Sequence, residues 1–186
     1  MKGTTERIFQ AAIQLFINKG FQATTQEIAK EADVAEITLY RKYSTKQNLF
    51  NTVIKRVLEK QFNTRIMEMA KEPNTERFIK FILKDRLEII SRNILLVKML
   101  ISESLKGNLT GDVDFPVIIM ESLESALSYH FNQQEKKVDT ALMARQLAGI
   151  FLSQVVFPNE KPFYQLDDHT KEDVINRYVQ SLIVLV

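Results

Sequence analysis

The stretch "TTQEIAKEADVAEITLYRKYSTK", residues 24–46, decides the fold predicted for this chain. Thr24 followed three residues later by Glu27 is the pattern of a helix-capping box, which predicts that a short helix begins here. A tight turn is predicted at residues 33–34, and a second short helix is predicted over residues 35–43. Two short helices joined by a tight turn form the arrangement that allows the second helix to enter the major groove of DNA.

The second of these helices is predicted to have one packing face and one exposed face. At about 100° per residue, Ala35, Leu39 and Tyr43 fall on the packing side, and we interpret Tyr43 as a core ring with a wet hydroxyl. Ile37 and Arg41 fall on the opposite side, where an arginine can bind guanine and an apolar group can contact the methyl group of thymine. The residues on or beside the exposed face are Ile37, Thr38, Tyr40, Arg41 and Lys42.

Two charged residues at helix starts have more than one possible role. Glu36 could accept a hydrogen bond from a cytosine amino group, or it could simply stabilise the N-terminus of its helix. Lys46 begins the next predicted helix, which Thr45 caps, and the free N–H groups at that helix end could bind a phosphate. Hydrogen-bond donors therefore concentrate around the second short helix.

Composition and charge are those of a globular protein whose excess positive charge lies in its first quarter. The chain has 186 residues, 45% of them hydrophobic and 26% charged, with a net charge of +2. Residues 1–50 contain seven Lys and Arg residues against five Asp and Glu residues, whereas residues 51–186 contain eighteen of each. The absence of cysteine excludes a disulfide framework and a thiolate metal site, and is typical of the reducing cytosol. No apolar run approaches the roughly 20 residues that span a bilayer, and no signal-peptide core is present, so a cytoplasmic protein without membrane contact is expected.

Helical periodicity extends over almost the whole chain, which predicts an all-α fold. Five glycines and four prolines interrupt it, and no strand alternation or hairpin signal is present. Gly20 is placed to end the first helix, since glycine tolerates the left-handed backbone of a helix C-cap. The apolar stripe of that helix consists of Ile8, Ala11, Ala12, Leu15 and Phe16. Further helices are predicted to begin at residue 46 and to cover residues 75–91, 94–106, 115–132, 137–157 and 169–185.

The segment "IFQAAIQLFINKGFQATTQEIAKEADVAEITLYRKYSTKQNLF", residues 8–50, resembles the DNA-binding domain of the tetracycline-repressor (TetR) family. The resemblance lies in the opening "AAIQLFINKGF", the second helix "TTQEIA" and the signature "TLYRKYSTKQNL". Three departures from the family pattern accompany it. The loop between Gly20 and Ile28 is one residue shorter, Asp33 stands where the turn commonly has glycine, and Ala35 removes a side-chain cap. Because Asp tolerates left-handed backbone, we expect the turn to persist.

The resemblance implies a division of the chain and a set of DNA contacts. It implies a helix-turn-helix DNA-binding domain over residues 1–46 and a larger helical domain for ligand binding and dimerisation over residues 47–186. The residues implied to hold the DNA backbone are Thr24, Thr25, Tyr40, Lys42 and Lys46. The residues implied to contact base edges are Glu36, Ile37, Thr38 and Arg41.

The stretch "ILLVKMLISESL", residues 94–105, is apolar nearly all round, which predicts a buried helix in the larger domain. Glu103 on this helix could anchor a cationic ligand in an apolar pocket, could pair with Arg86 or Arg92, or could reach solvent. The residues predicted to line such a pocket are Phe62, Phe81, Met99, Glu103 and Met120, although aromatic and methionine side chains at helical spacing also suit an ordinary core.

The last two predicted helices are expected to form a dimer interface. Small residues on the first allow close helix approach, and the chain ends in the apolar run "SLIVLV". Two-fold pairing of these helices would bury this surface in a four-helix bundle. The residues predicted at the interface are Ala141, Ala148, Phe151, Val155, Val174, Tyr178 and Leu182.

Catalytic and metal-binding patterns are weak in this sequence. The histidines are His130 and His169, and the glycines form no phosphate-binding loop. The stretch "LDDHTKED", residues 166–173, could be read as a metal cluster, but the acidic, capped start of the last helix explains it better. We therefore predict no enzyme activity, no metal and no cofactor.

These observations together predict a homodimeric, sequence-specific DNA-binding regulator. The predicted partners are a double-stranded DNA operator with inverted repeats and a small apolar or amphipathic effector that releases a repressor from it. A regulator or activator controlled without a ligand or by a protein partner is the alternative, and a helical adaptor without DNA binding is a more distant one.

Overall fold

The computed structural model describes residues 3–61, 63–109, 113–157 and 159–184, and the side chains of residues 58–64 lie outside the described part. Within these ranges the chain forms ten α-helices and no strand, so the predicted all-α fold is confirmed. Short 3-10 turns occur at Gly20–Gln22 and Phe163–Gln165. The helices are α1 (Thr4–Lys19), α2 (Thr25–Glu31), α3 (Glu36–Tyr43), α4 (Lys46–Gln61), α5 (Asn63–Met69), α6 (Thr75–Arg92), α7 (Ile94–Leu105), α8 (Phe115–Asn132), α9 (Thr140–Val156) and α10 (Asp168–Ile183).

The predicted helix positions agree with these bounds, apart from one short helix and one helix start. Helix α5 was not predicted, because its seven residues show too few turns for periodicity to be detected. Helix α9 begins three residues after the predicted position. Its N-cap is Asp139, whose carboxylate accepts a hydrogen bond from the backbone N–H of Leu142 at 2.9 Å. Side-chain caps of the same kind begin α6 at Asn74 and α10 at Asp167.

The chain divides into two compact units, residues 1–60 with 98–115 and residues 61–97 with 116–186. The predicted domain boundary after residue 46 stays a prediction. In the first unit, the aromatic rings of Phe16 and Phe50 meet edge to face, with centroids 4.7 Å apart. The fully buried residues of α1–α4 include Ile8, Ala12, Phe16, Ile28, Phe50 and Ile54.

In the second unit, one face of α6 supplies the centre of the core and packs against α5, α9 and α10. This core includes Phe78, Ile82, Leu83, Leu127, Phe131, Met143, Leu147, Ile175 and Val179. A charged cluster joins α5 to α6: the carboxylate of Asp85 on α6 contacts Nη2 of Arg65 on α5 and Nη2 of Arg86 on α6, each at 2.5 Å. Arg86 has 1% of its surface exposed. A buried guanidinium needs such a carboxylate, because an uncompensated buried charge is strongly destabilising.

A buried histidine connects α8 to the chain between α5 and α6. His130 accepts a hydrogen bond at Nε2 from the side-chain amide of Gln134 at 2.7 Å, so its Nδ1–H is the donor to the carbonyl of Ala70 at 3.3 Å. The imidazole stacks on Phe78 with ring centroids 4.3 Å apart. Burial lowers the pKa of His130 below its ordinary value of 6.5, and this histidine is therefore a neutral structural residue.

Candidate nucleic-acid interface

Helix α2 begins with the predicted capping box. The hydroxyl of Thr24 accepts a hydrogen bond from the backbone N–H of Glu27 at 3.2 Å, and the Glu27 carboxylate accepts one from the backbone N–H of Thr24 at 2.9 Å. Lys19 donates to the other carboxylate oxygen of Glu27 at 2.6 Å. The hydrogen bond from Lys19, followed by that from the Thr24 backbone, lowers the pKa of Glu27 from 4.5 to about 2. The start of α2 is therefore fixed by local interactions, as the sequence predicts.

The turn between α2 and α3 contains Asp33 in left-handed backbone with φ 52°. Its N–H bonds to the carbonyl of Lys30 at 3.1 Å, and the next N–H, of Val34, bonds to the carbonyl of Ala29 at 3.0 Å. Arg7 donates to both the carbonyl and the carboxylate of Asp33, at 3.2 and 3.0 Å. The expectation that Asp maintains the turn is confirmed, and its carboxylate also attaches α1 to it.

Helix α3 presents the two faces that its periodicity predicts. Leu39 is 2% exposed and Tyr43 is half-buried, and burial raises the pKa of the Tyr43 hydroxyl above 10.0. On the other side, Ile37 is 76% exposed, and Arg41 is exposed as well. Ala35 was expected on the packing face and is exposed. That prediction was wrong because Ala35 is the extended N-cap residue, to which helical spacing does not apply.

Thr25, Glu36 and Tyr40 form a hydrogen-bonded group between α2 and α3. The Thr25 hydroxyl donates to the Glu36 carboxylate at 2.5 Å and lies 3.1 Å from the Tyr40 hydroxyl. Because the Thr25 hydroxyl gives its one proton to Glu36, the Tyr40 hydroxyl can donate its own proton to the Thr25 oxygen. Thr25 is 9% exposed. Glu36 is the first residue of α3, and its contact with a base stays a prediction.

Lys42 lies beside the start of α1, a neighbour that the sequence did not indicate. Its ammonium donates to the hydroxyl of Thr5. A concavity of about 560 Å³ adjoins it, lined by Thr4, Val34, Ala35, Thr38, Arg41 and Lys42. The threonines at residues 4–5 gave little indication of this contact. Helical periodicity shows where a helix begins, but it does not show which other helix lies beside it.

Lys46 is the first residue of α4, as predicted, and the Thr45 hydroxyl accepts a hydrogen bond from the backbone N–H of Asn48 at 3.0 Å. The Lys46 ammonium donates to the carbonyl of Phe21 at 2.8 Å and lies 4.2 Å from the centroid of that ring. An ammonium has three donors, so a bond to Phe21 leaves capacity for a phosphate oxygen. The predicted DNA residues thus lie on α2, α3 and the start of α4, all in the first unit.

Glu103 lies in the first unit and is 3% exposed, which excludes the predicted alternative that it reaches solvent. Its carboxylate accepts hydrogen bonds from Lys106 at 2.9 Å and from Asn108 at 2.6 Å. Arg86 and Arg92, the other partners considered, instead pair with Asp85 and Glu88 at 2.5 Å. The sequence alone could not identify the partner of Glu103, because a helix pattern does not show which of the nearby cations the folded chain places beside this carboxylate.

The other residues predicted to line a ligand pocket lie in different surroundings. Met99 is buried in the first unit, whereas Met120 is half-buried against the core of the second. Phe81 is 46% exposed, so it lies on the surface of α6 and does not form an inner wall. Phe62 lies outside the described residues. A ligand role for any of these residues stays a prediction.

The predicted interface residues of α9 and α10 differ in exposure. Phe151, Val155 and Leu182 are buried within the second unit at 5%, 6% and 2% exposure. Ala148, Val174 and Tyr178 are half-buried, and Ala141 is exposed. The exposed apolar residues of α9 that the sequence reasoning missed are Leu142, Leu152 and Val156. These three share one face of α9 at helical spacing, and this spacing was the signal that could have identified them.

Asp167 and the residues after it form a helix cap. The Asp167 carboxylate accepts hydrogen bonds from the backbone N–H of Thr170 at 2.9 Å and from its hydroxyl at 2.7 Å, and the first of these is the larger cause of its lowered pKa.

Among the described residues, no group of three or more His, Cys, Asp or Glu side chains could hold a metal ion. None of the helices in the described ranges is both long and apolar enough to cross a membrane.

Residues 8–53 match the family model described as "Bacterial regulatory proteins, tetR family". The uncharacterized HTH-type transcriptional regulator YvkB of Bacillus subtilis (strain 168) is 44% identical over 55 residues, which are 29% of this chain and 29% of YvkB. A second uncharacterized HTH-type regulator of that strain, YuxN, is 28% identical over 134 residues, which are 71% of this chain and 45% of YuxN. The match therefore spans less than half the length of each of these two relatives.

The fold is similar to that of solved regulators over nearly the whole chain. The transcriptional regulator FadR from Bacillus subtilis, solved in complex with stearoyl-CoA, matches with a TM-score of 0.70 at 18% identity. The alignment covers 98% of this chain and 99% of the FadR chain. The chain has the fold of these regulators, an N-terminal helix-turn-helix domain followed by a larger helical domain.

Proposed function

We propose that this chain, which belongs to the tetR family of bacterial regulatory proteins, is a cytoplasmic, sequence-specific DNA-binding transcriptional regulator. The observation that carries the proposal is the exposed face of α3. It places the apolar side chain of Ile37 and the guanidinium of Arg41 at the surface, while Leu39 attaches the same helix to the core. A helix held in this way after a tight turn is suited to the major groove.

The two kinds of residue on this surface have different proposed roles. Glu36, Ile37, Thr38 and Arg41 contact base edges, where a guanidinium recognises guanine and an apolar group recognises thymine. Thr24, Tyr40, Lys42 and Lys46 hold the DNA backbone and fix the register without reading sequence, whereas the Thr25 hydroxyl, whose proton goes to Glu36, acts by positioning α3. The bond from Thr25 to Glu36 and Tyr40 supports these roles, because it fixes α3 against α2 before DNA arrives.

We further propose that the chain acts as a homodimer through α9 and α10. Leu142, Leu152 and Val156 are 45–53% exposed on one face of α9. Exposed apolar surface of this kind marks an interface, and a two-fold axis would pair it with the same surface of a second copy. Two symmetric DNA-binding domains would then bind an inverted-repeat operator with half-sites about one helical turn apart.

A small amphipathic effector is the proposed control, with repression as the proposed outcome. The proposal is supported by the apolar core of the second unit. It is also supported by the similarity of nearly the whole chain to FadR, which is solved with stearoyl-CoA. Binding of an effector weakens DNA binding when it favours a conformation in which the two DNA-binding domains are wrongly spaced. No catalytic role is proposed for this chain.

Selection of duplexes from a random-sequence pool by the purified protein tests the proposal. We expect enrichment of an inverted repeat, and we expect Arg41→Ala to remove the preference at one base pair of each half-site, whereas replacement of Arg77, an exposed arginine of α6, by Ala leaves every preference intact. Recovery of unrelated sequences would refute sequence-specific binding. The effector is tested with stearoyl-CoA against coenzyme A alone; release of the selected duplex by stearoyl-CoA only would support an amphipathic effector, and release by neither would rule out stearoyl-CoA as the effector.

A further inference from the structure

Glu103 is a buried carboxylate grouped with the helix-turn-helix, although it is carried by α7. The residues of α7 from Lys98 onward belong to the first unit. The Glu103 carboxylate accepts hydrogen bonds from the side chains of Lys106 at 2.9 Å and Asn108 at 2.6 Å, and the backbone of Phe21 is the weakest of the influences that lower its pKa. Burial raises the pKa of Glu103, but these hydrogen bonds outweigh burial and lower it, so the group is a carboxylate at neutral pH.

Gly20 allows this carboxylate to approach the backbone between α1 and α2. Gly20 has φ 57°, a conformation that favours glycine. A Cβ atom added there would lie 3.1 Å from Cδ of Glu103 and would collide with its Oε1. The backbone conformation therefore favours glycine at this position, and the absence of a Cβ atom leaves room for the Glu103 carboxylate where it lies.

The same turn holds the start of α4 from its other side. The carbonyl of Phe21 accepts the hydrogen bond from Lys46 at 2.8 Å, and the Phe21 ring meets the ring of Phe50 with centroids 5.2 Å apart. A second connection runs from Asn108, whose carbonyl accepts a hydrogen bond from Gln47 at 3.2 Å. Glu103 thus lies against Gly20 of this turn, while the carbonyl of Phe21 binds Lys46.

We propose that Glu103 is a positioning residue for DNA binding, because it fixes the Gly20–Phe21 turn whose carbonyl holds Lys46 at the phosphate-facing start of α4. The inference rests on the proposed function, since it assigns Glu103 an effect on a DNA contact. Glu103 does not touch DNA itself. It orders the backbone from which Lys46 is oriented, and the ordered ammonium then needs less rearrangement to meet a phosphate.

The test compares Glu103→Gln with Lys46→Ala and with the double variant. Glu68→Gln is the matched control, because Glu68 forms an exposed ion pair with Lys71 three residues on, at 2.7 Å. Binding is measured as a function of salt, on a duplex selected from a random-sequence pool by the wild-type protein. Thermal melting of each variant confirms that it is folded at the assay temperature.

Loss of one phosphate contact in each half-site shallows the slope of log affinity against log salt by about one unit per half-site. We expect Lys46→Ala and Glu103→Gln each to show this change, and the double variant to show no more than Lys46→Ala alone. The control should keep the wild-type slope. A residue that only stabilises the fold would weaken binding at every salt concentration without changing the slope.

A wild-type slope in folded Glu103→Gln beside a shallow one in Lys46→Ala would overturn this inference alone, as would additive effects in the double variant. If Glu103→Gln does not fold, Asn108→Ala takes its place, because it removes one donor to the carboxylate and should shallow the slope in the same direction. An unchanged slope in Asn108→Ala would then overturn the inference. Failure of the wild-type protein to bind any duplex would refute the proposed function as well.

Discussion

Replacement of Lys42 by Ala tests the division of the α3 surface into backbone-holding and base-reading residues. Lys42 is exposed, and its ammonium bonds to Thr5 at the start of α1, so the substitution removes a charge without opening the core. Each phosphate contact contributes about 0.9 to the salt slope, and a symmetric dimer loses two contacts, or about 1.8 in total. Salt is raised fourfold, from about 50 to about 200 mM. Over this range the affinity of the wild type should fall by a factor about twelve times larger than the factor by which the affinity of the variant falls.

Arg41→Ala should behave differently, although the two residues are neighbours. Removing a guanidinium from a base edge should cost about 1–3 kcal/mol per half-site on the preferred duplex and should relax discrimination at one base pair. On a duplex of scrambled sequence, the loss should be small. Lys84→Ala is the control for a general effect of charge, because Lys84 is exposed on α6 in the second unit.

Fluorescence anisotropy titrations provide the assay, with the selected duplex and its scrambled counterpart measured across the salt series. We expect a shallower slope on both duplexes for Lys42→Ala and a loss confined to the selected duplex for Arg41→Ala. The opposite pattern, in which Arg41→Ala weakens both duplexes equally and Lys42→Ala changes only sequence preference, would show that the two faces have been assigned in reverse.

Three further predictions concern stability and assembly. Thr24→Ala should lower the free energy of unfolding by about 1 kcal/mol in urea, because it removes the capping box of α2; an unchanged value would contradict that role. Because the pKa of His130 is lowered from 6.5 in the folded protein, the unfolded chain binds its proton first. The melting temperature should therefore fall as pH drops below 6.5 toward the lower pKa of the folded protein. In His130→Gln the melting temperature should depend less on pH over this same range. Leu152→Glu should give a folded monomer by sedimentation, and a persisting dimer would place the interface elsewhere.

The folded pKa of Glu27, about 2 against an ordinary 4.5, adds a prediction in acid. A carboxylate with a lowered folded pKa contributes stability that is fully present above 4.5 and is lost as pH falls toward 2. Glu27→Gln should remove this part of the acid dependence, whereas the control Glu68→Gln should retain it. Melting curves between pH 5 and pH 2.5 provide the measurement, and equal curves for wild type and Glu27→Gln would contradict the assignment.

The sequence by itself determined the features that depend on neighbours within a few residues. The capping box of Thr24, the left-handed turn at Asp33 and the burial of Leu39 opposite Ile37 all follow from hydrogen bonds or helical spacing inside one or two turns. Gly20 was likewise identified as a helix end from its local position. Such interactions form wherever these residues stand in this order, so no knowledge of the rest of the chain is needed.

Only the tertiary structure decided the partners of residues far apart in the chain. Glu103 lies more than eighty residues from Gly20, which it closely approaches, and its choice of Lys106 and Asn108 over Arg86 or Arg92 depends on where α7 packs. The inward orientation of Phe151, and the bond from Lys42 to the start of α1, were likewise set by packing. Periodicity identifies an apolar face but not the surface that covers it, because that choice is made by the shapes of whole helices packed together.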